Sequence, residues 1–260
     1  MTTAPSDRGF AENFAALAGL QKSTRGVSLY SVRINRPAGR VLAALAASAG
    51  ATPNRITLLG LGCSLIAIAL IVIAPVTHLT AIGLTLALAV GYALDSADGQ
   101  LARLQGSGGP AGEWLDHMID AGIKLTLHLA IAVSWFTTGR RGPELLLPLA
   151  FQVIAVLMFL AVTLGGTLRS EEAGARVRPP VRRPALRSVL LLPVDHGVLC
   201  LLFLAWAWPS AFRIGYAGLL LAQVAFLIAF AVTVYPELAR TRPDPGAAQH
   251  SLLRPERSSS

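Results

Sequence analysis

The 260-residue chain is 53% hydrophobic and only 14% charged, with a mean hydropathy of +0.58. That excludes an ordinary soluble domain and reads as a membrane protein. The net charge of +8 arises from 22 Lys and Arg against 14 Asp and Glu. Aromatics are few and the basic residues cluster between apolar runs, so a membrane surface accounts for the charge and no nucleic acid partner is expected.

Residues 1–29 read as a polar segment, and the first fifty residues show no basic, apolar and small-residue series of a removable signal peptide. Residues 30–236 are expected to form one membrane domain. Its first element, VLAALAASAGA at 41–51, is too short to span. Following NRPAGR, it reads as an amphipathic interfacial helix with Arg33, Arg36 and Arg40 near lipid head groups. The alternative is a short helix packed on the bundle. Six runs then approach the length of roughly 20 residues that a bilayer requires: 56–76, 79–104, 112–136, 145–166, 188–208 and 214–235. An all-α bundle of six transmembrane helices follows, because lipid leaves exposed backbone groups unsatisfied and no barrel-like alternation is visible. Cys63 and Cys200 both lie inside apolar runs and support neither a disulfide framework nor a zinc site. Lys and Arg concentrate before the first span, in the 169–187 loop and after Pro236, whereas the opposite face holds Arg140, Arg141 and Arg213. Both termini are therefore expected on the cytoplasmic side of the plasma membrane. The tail at 237–260, rich in Pro, Arg and Ser, is expected to be disordered.

The stretch DSADGQLARLQGSGGPAGEWLDHMID, residues 95–120, sets four carboxylates among apolar runs, where an unpaired charge is costly. With helices ending near Leu104 and starting near Gly112, Asp95 and Asp98 lie about 9–14 Å from their helix end, and Asp116 and Asp120 about 6–12 Å from theirs. Each pair, spaced i to i+3 or i+4, shares a helix face. The turn containing Gly106, Gly108, Gly109 and Pro110 makes the helices antiparallel neighbours. Four converging negative charges must be protonated, paired or wrapped around metal. The nearby cations Arg103 and Lys124 are too few, and carboxylate oxygens suit Mg²⁺ and Mn²⁺, so one or two divalent ions are expected at Asp95, Asp98, Asp116 and Asp120. A proton or ion pathway is the rival use of the same groups. Gly99, Ala102 and Gly112 leave room for a ligand, and Arg103 offers a forked donor to phosphate. Together these features indicate a diphosphate substrate.

Asp95, Asp98, Gly99, Ala102, Arg103, Gly112, Asp116 and Asp120 match D-x2-D-G-x2-A-R-x8-G-x3-D-x3-D at every fixed position. The chain thus resembles the CDP-alcohol phosphotransferases, over roughly residues 30–235 and including Thr52-Pro53-Asn54 and Thr57. The resemblance implies transfer of a substituted phosphate from a CDP-linked donor, such as CDP-diacylglycerol, to an acceptor hydroxyl, with release of CMP. It implies two divalent ions on the aspartates and Asp120 as general base. It also implies a donor pocket at Asn54, Thr57, Gly99, Arg103 and Gly112. The acceptor would be a small alcohol or polyol, phosphorylated or not, among membrane lipids, and a homodimer is expected. Some relatives carry a hydroxyl residue where this chain has Gly109, with Ser107 as a substitute.

On the acceptor side, Asp195 and His196 in the fifth span lie at the depth of the aspartates, either touching substrate or forming a polar pair satisfied by neighbouring helices. Lys124 and His128 continue the Asp116–Asp120 face, with Lys124 read as a partner of Asp120. The arginine-rich loop from Arg169 to Arg187 suits anionic lipid or a phosphorylated substrate. An intramembrane prenyltransferase and a cation transporter are the alternative functions. The first would place its aspartate motifs on well-separated helices, whereas one 26-residue stretch carries everything here.

Overall fold

The computed structural model describes residues 5–24, 26–172 and 188–240, and the regular elements among them are helical. The N-terminal segment folds onto the membrane domain. Its helix α1 (Phe10–Ala18) buries Leu17 in a cluster with Ala43, Ala47, Ala97 and Leu101. Asn13 donates from Nδ2 to the carbonyls of Pro5 and Arg8 and to Ser48 Oγ.

Helix α2 (Arg36–Ser48) is entered through a π-helical turn at Ser31–Asn35. Pro37 occupies its first turn, where a missing N–H costs nothing. Gly39 and an alanine face are buried, while Ile34, Val41 and Leu45 stay exposed, in keeping with an interfacial helix. Two of the three arginines are engaged locally. Arg36 donates to the carbonyls of Lys22 and Ser23, and Arg40 donates to that of Phe14 while lying 3.8 Å from the Phe14 ring centroid. Arg33 is the exposed member of the three.

The first four spans are α3 (Pro53–Ile73), α4 (His78–Gln105), α5 (Pro110–Thr137) and α6 (Leu146–Glu172), the first three within a few residues of their expected apolar runs and α6 running on past 166. Thr77 caps α4 by accepting from the Thr80 N–H, and Gly106 ends it at φ 61°, a left-handed conformation that glycine tolerates. Proline at N1 starts both α3 and α5. Gly60 and Gly91 allow α3 and α4 to meet closely, since a Cβ on Gly60 would lie 3.3 Å from the Gly91 carbonyl oxygen.

The fifth span departs from the expected continuous helix over 188–208. Ser188–Val194 and His196–Ala207 meet at a 57° bend, with α7 (His196–Leu202) beginning the second limb. Pro193 supplies no N–H to a continuing ladder. Asp195, at φ −79° and ψ 132°, instead caps α7 by accepting from the Gly197 N–H at 2.7 Å. Helix α8 (Pro209–Arg240) contains Pro236 and continues past it, so the boundary expected at 237 falls inside a helix. Residues 241–260 of the expected tail and 173–187 of the arginine-rich loop lie outside the described residues, whereas 169–172 belong to α6.

Among the described residues, five helices are long and apolar enough to cross a membrane, and the bent pair makes a sixth. Outward-facing Leu58, Ile66, Leu86, Leu221, Ile228 and Val232 give them a lipid-compatible surface. One core cluster joins Trp135, Phe151, Phe203, Trp206, Phe212 and Tyr216. Packing around the aspartates differs from the expected direct α4–α5 pairing. Helix α3 packs on both α4 and α5, while those two helices make little direct backbone approach. A cavity of about 570 Å³ is walled by both.

Candidate active site

Asp95 and Asp98 stand one turn apart on α4, and Asp116 and Asp120 one turn apart on α5. Asp95 experiences the charges of Asp120, Asp116, Asp98 and Lys124, and lies within hydrogen-bonding reach of Asp116. Asp98 is buried, with Thr57 Oγ1 2.6 Å from its Oδ2. Lys124 Nζ lies 2.9 Å from Asp120 Oδ2, the pairing expected from their i to i+4 spacing, and 4.9 Å from the Phe159 ring centroid. Asp95, Asp98 and Asp120 line the cavity, while Asp116 reaches Asp95.

This oxygen-only donor set fits a hard divalent cation in kind. The mutual repulsion of four carboxylates favours such a cation, and Lys124 supplies one compensating charge. As the side chains stand, no three His, Cys, Asp or Glu residues among the described ones converge as a metal cage. Thr57 and Lys124 hold Asp98 and Asp120 instead.

The residues expected around a CDP group divide into two places. Thr57 lines the cavity beside Asp98. Asn54, Gly99, Arg103 and Gly112 do not line it. A Cβ on Gly112 would sit 3.6 Å from Asn54 Oδ1, and one on Gly99 3.6 Å from an Arg103 guanidinium nitrogen, so these residues form two close pairs. Arg103 donates from Nε to the Leu20 carbonyl at 2.9 Å while remaining in electrostatic reach of Asp98. Ser107, in the exposed turn, lies 3.4 Å from Gln105 Oε1.

The break in the fifth span sets Asp195 and His196 on the cavity wall, with His196 in electrostatic reach of Asp120 and Lys124. Asp195 Oδ2 accepts from Ser31 Oγ at 2.7 Å and also from Ser28 Oγ. Ser31 Oγ is in turn 2.9 Å from the Tyr92 hydroxyl, and the Tyr92 ring meets His196 edge-on with centroids 5.2 Å apart. Asp195 thus has the neighbouring partners foreseen in one reading while still facing the cavity. His128 belongs to the core, with Nδ1 2.6 Å from the Tyr216 hydroxyl and its ring stacked on Phe151. Sequence reasoning missed Ser28, Ser31 and Tyr92. Tyr92 carried a usable signal, lying three residues before Asp95 on the same helix face. The two serines carried none, because their partner is more than 160 residues away.

A family model described as CDP-alcohol phosphatidyltransferase matches residues 51–235. The chain belongs to that family. Its fold is similar to a crystal structure of Mycobacterium tuberculosis phosphatidylinositol phosphate synthase with CDP-DAG bound. The similarity has a TM-score of 0.52 and 22% identity, and covers 82% of this chain and 100% of the other. No curated protein matches the sequence. The protein is therefore a multi-pass membrane phosphotransferase of phospholipid biosynthesis, and family membership displaces the prenyltransferase and transporter readings.

Proposed function

We propose that this enzyme transfers a phosphatidyl group from CDP-diacylglycerol to the hydroxyl of a small alcohol or polyol, releasing CMP at the cytoplasmic face of the plasma membrane. The observation that carries the reading is that Asp95, Asp98 and Asp120 line one cavity inside a bundle of this family. The lipid-linked donor is supported by the apolar wall beside Asp120, formed by Ile123, Met158, Val162, Phe226 and Phe230. That wall offers acyl chains a surface where a soluble CDP head group would leave it wet.

In this mechanism Asp95, Asp98, Asp116 and Asp120 hold two divalent ions, Mg²⁺ or Mn²⁺. Ions there supply charge neutralisation on the diphosphate and orientation for in-line displacement. Asp120, exposed to the cavity and tethered by Lys124, takes the proton from the acceptor hydroxyl. Thr57 fixes the Asp98 carboxylate. Arg103, with Asn54, Gly99 and Gly112, receives the CDP portion, which requires the Arg103 side chain to turn from Leu20 toward phosphate. The working form carried over from the family resemblance is a homodimer. The direct test supplies purified full-length protein with CDP-diacylglycerol, Mg²⁺ and a polyol panel, with mass detection of lipid products. A phosphatidyl-polyol formed in step with CMP is expected. Absence of CMP with every acceptor would refute the reaction, and nucleotide turnover with a soluble CDP-alcohol alone would refute the lipid donor.

A further inference from the structure

Beside the aspartates, the cavity is lined by a second polar group whose hydrogen-bonding balance is unusual. The serine protons are committed inward. Ser28 donates to Asp195 Oδ2 and accepts from the Ser31 N–H. Ser31 donates to the same carboxylate oxygen, which leaves Tyr92 as the donor in its 2.9 Å contact with Ser31 Oγ. Capacity left over on Asp195, Tyr92 and the serines is therefore lone pairs. His196 adds a ring on the same wall.

The wall is built for this arrangement. Gly197 makes room for Tyr30, whose ring would stand 1.9 Å from a Cβ there, and Tyr30 stacks on Tyr92 with centroids 6.3 Å apart. The serines come from a segment outside the family-matched residues 51–235, whereas Tyr92, Asp195 and His196 lie within them.

We propose that Asp195, Tyr92 and His196 form the acceptor subsite, and that they select an uncharged polyhydroxylated alcohol through its non-reacting hydroxyls. A polyol brings several O–H donors to a wall of acceptors. A phosphate ester brings acceptors and negative charge to the Asp195 carboxylate and is disfavoured on both counts. A monohydroxylic alcohol spends its one hydroxyl on the reaction and gains nothing from this wall.

The inference rests on the proposed phosphatidyl transfer, and the test separates the two. Full-length protein with CDP-diacylglycerol and Mg²⁺ is assayed for CMP release against myo-inositol, glycerol, their monophosphates, ethanolamine and propanol. The unphosphorylated polyols are expected to give the highest kcat/KM. Asp195→Asn preserves a helix-capping side chain while replacing one acceptor oxygen by an NH₂ donor, and Tyr92→Phe removes a hydroxyl. Each is expected to raise the polyol KM about tenfold, with the KM for CDP-diacylglycerol unchanged. A phosphorylated polyol, the amino alcohol or propanol as the best acceptor overturns the subsite while leaving the reaction intact. Unchanged polyol KM in both variants does the same. Failure of every acceptor to release CMP overturns the underlying reaction and the subsite with it.

Discussion

The seating of α4 on α2 predicts opposite outcomes for two glycine substitutions. A Cβ at Gly39 would lie 2.7 Å from Ser96 Oγ, 2.8 Å from Ser96 Cβ and 3.0 Å from Gln100 Nε2. The Ser96 Cβ cannot rotate aside, so α2 and α4 must separate. Gln100 then loses its 3.1 Å bond to the Arg36 carbonyl. At Gly62, in the middle of α3, no heavy atom lies within 4 Å of the corresponding position. Replacing glycine by alanine in a helix gains about 1 kcal/mol at either site. Overpacking at Gly39 costs about 1–3 kcal/mol. Because the propensity gain is common to both, Gly39→Ala is expected to be less stable than Gly62→Ala by about 1–3 kcal/mol. For a chain of this size that is about 2–12 °C in Tm. Ser96 lies between Asp95 and Asp98, so Gly39→Ala is also expected to lose turnover while Gly62→Ala retains it. Thermal unfolding in detergent and CMP release measure the two effects. Equal stability of the two variants, with full activity in Gly39→Ala, would refute the account of how α4 is held.

Asp120→Asn is expected to lower kcat by about 10²–10⁴-fold while CDP binding, followed by calorimetry, persists; normal turnover would remove Asp120 as the base. Arg103→Ala is expected to weaken CDP affinity about tenfold or more, and an unaltered dissociation constant would leave Arg103 as an anchor for Leu20 alone. Chelation with EDTA is expected to abolish CMP release and to lower Tm, with Mg²⁺ or Mn²⁺ restoring both by preferential binding to the folded state. A Tm indifferent to these ions would contradict metal binding at the four carboxylates.

Much of this fold was legible because the bilayer imposes one length and one backbone solution on every span. Apolar runs therefore located α3, α4 and α5 to within a few residues, and α6 and α8 with helix ends that extend further. The fifth span was misread for a related reason. A hydropathy window averages over Leu192-Pro193-Val194-Asp195, whereas the backbone responds to the single missing N–H and to the capping carboxylate. The docking of the N-terminal segment was not legible because its anchors are polar and distant: Arg103 to Leu20, Gln21 to Gln100 and Asn13 to Ser48. No periodicity announces such contacts.

The candidate site shows the same division between local and non-local information. Asp95, Asp98, Asp116 and Asp120 are close in sequence, and helical spacing alone brings each pair to one face. Their arrangement around a gap, rather than in a tight α4–α5 seam, depends on α3, which packs on both helices through contacts of its own. Thr57 and Asp98 meet across that α3–α4 interface, made close by Gly60 and Gly91. The Asp195 group requires residues 28, 31, 92 and 195 at once. A helix period can place an aspartate at a given depth, but it cannot say which hydroxyls will face it. In this chain the signature motif therefore identifies the reaction class, while the proposed acceptor subsite lies where the broken span meets the N-terminal segment.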